Sequence, residues 1–158
     1  MVMEKIVKEL QEIISIYGKK LKTINAGEFI AKPHPKKWSK KEVLGHLIDS
    51  AHNNLRRFIV GQYESDPHIV YDQDFWVSAN DYQHMADADV LELWRMVNER
   101  IIALLKIMPA DHYDRTCNTG KEIASIHSLQ WLAEDYVKHM KHHLNQILPG
   151  SFNVTYPS

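Results

Sequence analysis

The stretch Ser39-Lys40-Lys41-Glu42-Val43-Leu44-Gly45-His46-Leu47-Ile48-Asp49-Ser50 decides the fold. It opens on a capping box, in which the Ser39 hydroxyl accepts from a free amide of the first turn and Glu42 reaches back to the Ser39 amide. Behind that start Val43, Leu44, Leu47, Ile48, Ala51, Leu55, Phe58 and Ile59 recur at three- and four-residue steps, which predicts an amphipathic helix running to about Gln62. Beside the apolar stripe lies a polar strip of His46, Asp49, Ser50, Asn53 and Arg57, pointing to a lined cavity. The ordinary solvated face of the same helix is read at His52, Asn54 and Arg56.

Three more helices follow from the same period. Ile6, Leu10, Ile13, Ile14, Tyr17 and Leu21 make a first one ending near Thr23. Val90, Leu91, Trp94, Val97, Ile101, Leu104, Leu105 and Met108 make a third, capped by Asp87 or Asp89 and stopped by Pro109. Ile126, Leu129, Leu132, Tyr136, Met140, Leu144 and Ile147 make a fourth, starting at Ser125 or Ser128 and halted by Pro149-Gly150. Residues 24–38 and 110–124 read as connectors, and no stretch alternates convincingly as a strand apart from a few residues near Lys121 to Ile126. The long 63–86 segment, with a short helix expected around Gln73 to Ala79, has the length of a functional loop; Tyr71, Asp72 and Trp76 are its lid candidates. Each helix alone is marginal in water, so the stripes bury best against one another. An all-α four-helix bundle is expected, and the long connectors favour crossover topology.

Composition bounds the rest. The chain has 158 residues, 44% of them hydrophobic and 25% charged, which suits one globular domain over 1–150 with a C-terminal tail at 151–158. With 19 Lys+Arg against 20 Asp+Glu there is no global positive field to gather nucleic acid. No apolar run is long enough to cross a bilayer and the N-terminus has no signal-like core, so a cytoplasmic protein is expected. The single cysteine, Cys117, excludes an internal disulfide and suits a reducing compartment. Sitting in a connector, it reads as incidental rather than as a nucleophile.

Ten histidines are the abnormal count. His139 and His143, four residues apart, project from one face of the fourth helix at a spacing one metal ion can bridge. Spacing alone is weak, since about 0.6 such pairs arise by chance at this histidine content. Their place on the core side says more, because two adjacent buried imidazoles need either a shared ion or separate hydrogen bonds. If His46 points inward, it supplies a third nitrogen and leaves coordination positions open. Metalloprotease, di-iron and zinc-finger patterns fail: Met140 follows His139 where a glutamate is needed, Glu-x-x-His is absent, and only one cysteine exists. His142 is a neighbour or a surface group, while His34, His68, His84, His112 and His127 fall in or beside loops.

The run Trp38 to Ser50 followed by Arg57-Phe58 resembles the second-helix signature of the DinB-like superfamily. The Tyr71-Asp72-Gln73-Asp74-Phe75-Trp76 loop and the segment Tyr136 to Ile147 look like the branch containing bacillithiol S-transferases and metal hydrolases. That resemblance implies a four-helix bundle, a homodimer, and nickel or zinc held by three histidines, which fall on His46, His139 and His143. The resemblance does not fix the reaction; the leading reading is that a metal held by neutral histidines activates a small-molecule thiol for S-transfer to an electrophilic substrate. Metal-dependent hydrolysis with hydroxide and a non-catalytic metal-binding dimer module are the alternatives. In the first reading Arg57 neutralises a carboxylate of the cosubstrate, and Asp49 or Gln146 orients a ligand histidine through its second nitrogen.

Overall fold

The computed structural model describes residues 1–157. In chain order the helices are α1 (Val2–Leu21), α2 (Ala26–Ile30), α3 (Lys40–Val60), α4 (Gln73–Asn80), α5 (Asp87–Ile107) and α6 (Leu129–Ile147). The four long ones, α1, α3, α5 and α6, form the bundle. Both α1 and α3 pack against α5 and α6, which places the chain neighbours α1 and α3 diagonally across the bundle, and α5 and α6 likewise. An up-and-down bundle would set successive helices side by side; here two of the three long connections are crossovers.

The apolar stripes meet in one core in which Leu10, Leu44, Phe58, Trp94, Ile101, Leu129 and Leu144 are fully buried. Ile59 departs from its predicted place and is exposed. Asn54 departs in the other direction: it is buried rather than solvated, its amide donating to the Ser50 carbonyl at 2.8 Å. His52 and Arg56 do face solvent. Among the described residues, no helix is long and apolar enough to cross a membrane.

The caps explain where the helices begin. At α3 the box forms in full, with Ser39 Oγ accepting from the Glu42 amide and Glu42 Oε1 from the Ser39 amide, both at 3.1 Å. Caps of this kind contribute about 1 kcal/mol. The start of α5 corrects the expectation of an aspartate cap: Ala86 occupies that place without a side-chain bond, and Asp87 instead pairs with the nearly buried Lys41 at 2.7 Å. Asp87 and Asp89 still complement the dipole of the first turn. The 24–38 connector holds α2, capped by Asn25, which is too short to show a period. At α6 the cap is Ser128, not Ser125. Strand β1 (Thr116–Asn118) pairs antiparallel with β2 (Ile126–Ser128), and the Ser125 amide is taken up by Asn118 Oδ1 at the ribbon's turn.

Candidate metal centre

Helix α3 brings His46 to the interior, where it is 1% exposed, and α6 brings the half-buried His139 and His143 opposite it. Nε2 of His46 lies 3.1 Å from Nε2 of His139, and one ring nitrogen from each of the three residues lies within 4.8 Å of the others. Two imidazole nitrogens sharing a tetrahedral zinc are about 3.4 Å apart, given bond lengths near 2.1 Å. The donor set therefore fits one divalent ion with modest movement. Protonation does not oppose it. Burial, with His143 facing it, lowers the His46 pKa to about 3. Burial first, and the other imidazoles second, push His139 well below its ordinary value. His143 is lowered mainly by burial. Three neutral imidazoles offer three lone pairs.

Two of the rings are aimed by neighbours. The His143 Nδ1–H donates to Gln146 Oε1 at 2.9 Å, which leaves Nε2 free to ligate, and Ser50 Oγ lies 3.4 Å from His139 Nδ1. His46 is braced differently: Trp38 stacks on it with centroids 5.0 Å apart, and its buried Nδ1 has no partner among the described residues. Gln146 thus occupies the orienting place expected of it. From the sequence alone Trp38 and Ser50 have no part in supporting a ligand, although they are the two ends of the Trp38 to Ser50 run.

Asp49 does not orient a histidine. It is fully buried, its Oδ1 accepts from Tyr82 Oη at 2.6 Å and Asn80 Nδ2 at 3.0 Å, and its Oδ2 has no partner among the described residues. Burial pushes its pKa up to about 6 despite those two bonds. A carboxyl whose folded-state pKa is raised stabilises fully below its unfolded value and loses that contribution as pH rises through the folded one. Replacing Asp49 by Asn removes this titration. The stability of Asp49→Asn relative to wild type should therefore improve by about 2 kcal/mol between pH 4 and pH 8. Urea unfolding at the two pH values checks it, and a pH-independent difference would contradict the buried-carboxyl assignment.

Arg57, read as a carboxylate binder, holds the loop. Its Nε and Nη2 donate to the Ile69 carbonyl at 3.1 and 2.8 Å, Nη1 donates to Asn54 Oδ1 at 3.4 Å, and the Tyr71 ring lies 5.9 Å from the guanidinium. Asp72 caps α4 by accepting from the Phe75 amide, and Trp76 meets Tyr71 edge to face at 5.9 Å. Cys117 is buried with its thiol donating to the Pro67 carbonyl, and burial raises its pKa; this is not the setting of a nucleophile.

A four-helix bundle with crossover connections and three converging imidazoles defines a class of histidine-lined bundle proteins. The sequence pattern of the DinB superfamily matches residues 15–147, and the chain belongs to that superfamily. No curated protein matches it by sequence. Among solved structures it is similar to YfiT from Bacillus subtilis, described as "a probable metal-dependent hydrolase with an unusual four-helix bundle topology", with TM-score 0.80 and 24% identity over 92% of this chain and 83% of that one. It is also similar to a mycothiol-dependent maleylpyruvate isomerase, with TM-score 0.70 and 12% identity over 90% of this chain but only 59% of that one. A DinB-like protein from Bacillus subtilis, YjoA, aligns over 96% of both chains with TM-score 0.63 and 16% identity. At these identities the likeness carries the fold.

Proposed function

We propose that this chain is a divalent-metal-dependent enzyme in which His46, His139 and His143 hold nickel or zinc, and that it activates a low-molecular-weight thiol for S-transfer to an electrophile. The observation that carries the reading is the convergence of three neutral imidazoles, with His46 and His139 nitrogens 3.1 Å apart. Three ligands are fewer than the four that close a structural zinc site, which favours a reactive centre over a non-catalytic module. When bound, such an ion lowers the pKa of a ligated thiol or water toward neutrality. The protein's part is orientation and exclusion. Gln146 and Ser50 aim two of the imidazoles, Trp38 covers the third, and Arg57 pins the 63–72 loop at Ile69.

The mycothiol dependence of one structural neighbour favours a thiol partner, and the hydrolase description of YfiT favours the second reading, hydrolysis of an ester or amide. A cytoplasmic homodimer without a nucleic-acid partner completes the proposal. One assay separates the two readings. The zinc- or nickel-loaded protein is given biological thiols with a chloro-dinitroaryl acceptor, and in parallel a panel of esters and amides. Metal-dependent thiol conjugation that disappears in His139→Ala is the expected result. Hydrolysis without conjugation across several thiols would overturn S-transfer in favour of the second reading.

A further inference from the structure

The C-terminal tail lies outside the 15–147 stretch that matches the family pattern, yet it is built onto the metal centre. Asn145 grips it with both ends of its amide: Oδ1 accepts from the Phe152 amide at 2.8 Å, and Nδ2 donates to the Phe152 carbonyl at 2.9 Å. The Phe152 ring packs on Tyr17 with centroids 4.8 Å apart, and Tyr17 Oη donates to the Ser151 carbonyl. Beyond this anchor Phe152, Val154 and Tyr156 are half-buried while Asn153, Thr155 and Pro157 are exposed, so the extended chain lays every second side chain on the bundle. The last of these, Tyr156, sets its ring 5.4 Å from the His139 ring and 5.7 Å from the His142 ring. Its hydroxyl donates to Asp135 Oδ2 at 3.2 Å.

We infer that Tyr156 is a specificity-determining residue: held by the Asn145 anchor, its ring walls the His139 side of the metal centre and limits how bulky a molecule reaches the ion. The inference rests on the proposed triad. A ring against one ligand imidazole cannot change which residues bind the ion; it changes the approach to it. Ion binding and ion access should therefore separate.

Zinc-loaded wild type, Tyr156→Ala, Tyr156→Phe and Phe152→Ala are mixed with the chromogenic chelator 4-(2-pyridylazo)resorcinol, and the rate of zinc transfer is followed. Zinc content and helical circular dichroism are recorded for each protein beforehand. All four should carry one zinc per chain. Tyr156→Ala should release zinc about tenfold faster than wild type, with Phe152→Ala moving in the same direction and Tyr156→Phe staying within about twofold, the scale on which neighbours of ligand residues act. Rates within twofold of wild type for both Tyr156→Ala and Phe152→Ala would overturn the wall. So would a Tyr156→Phe rate equal to that of Tyr156→Ala, since the ring would not then be the barrier. A Tyr156→Ala protein that keeps its helices but binds no zinc overturns it as well, because Tyr156 would then support the ion. A wild-type chain that binds no zinc removes the triad itself and the inference with it.

Discussion

Zinc or nickel added to the purified chain should raise its melting temperature, and alanine at His46, His139 or His143 should abolish the rise. At a free-ion concentration of 100 times Kd, an ion that binds only the folded state adds about 2.7 kcal/mol. For a domain of this size that corresponds to roughly 5–10 °C. The triad is assembled from helices that contact one another only in the folded bundle, with His46 on α3 and the other two on α6. The unfolded chain has no equivalent site. Removing one of three ligands leaves two imidazoles, which compete poorly with water for the ion. The comparison is made between loaded and unloaded forms of each variant, so the packing lost at buried His46 cancels. A rise of the same size in His46→Ala would mean that the ion binds elsewhere, with the exposed loop histidines the first suspects.

Gly45→Ala should destabilise the fold by about 2–4 kcal/mol. Alanine is the better helix former by about 1 kcal/mol, so a solvent-facing glycine in α3 would gain from the change. At Gly45 a Cβ would fall 2.1 Å from Tyr82 Cδ2 and 2.4 Å from its Cγ, at the root of the ring rather than at a flexible tip. Tyr82 must then leave the α3 backbone, and its 2.6 Å bond to Asp49 goes with it. Overpacking costs about 1–3 kcal/mol, and a buried carboxyl that loses a partner costs a similar amount. The urea midpoint measures the loss. Paired with Tyr82→Ala, which removes the obstructing ring, Gly45→Ala should cost little, and equal costs in the two backgrounds would sink the explanation.

The bundle was legible because its evidence is local and repeated. Each long helix carries several turns of apolar spacing, and the Ser39–Glu42 box marks the start of α3 within four residues. The His139–His143 pair is likewise one helix turn, whereas placing His46 against it needs the packing of α3 on α6, which the family resemblance implied and periodicity did not. What was not legible is short or distant. The five residues of α2 and the three-residue strands complete no period, and the choice of Ser128 over Ser125 depends on residues 126–128 pairing as a strand with the distant residues 116–118. Asp49 looked like a partner for a histidine because the two share a face, but its bond is to Tyr82, 33 residues on. Arg57 faces inward as its strip predicts, yet its guanidinium is engaged by a carbonyl of the 63–86 loop that no spacing rule could assign. The tail stands between: Phe152-Asn153-Val154-Thr155-Tyr156 alternates apolar and polar side chains over too few residues to read as a strand, yet the exposed and half-buried positions follow that period of two.

Everything proposed for the function passes through His46, His139 and His143. Elemental analysis of wild-type, His46→Ala and His139→Ala proteins, each loaded with zinc or nickel and then freed of loosely held ion, tests that directly. One ion per chain in the wild type and far less in either variant is the result expected of a three-imidazole centre. If both variants keep one ion per chain, the triad is not the metal site.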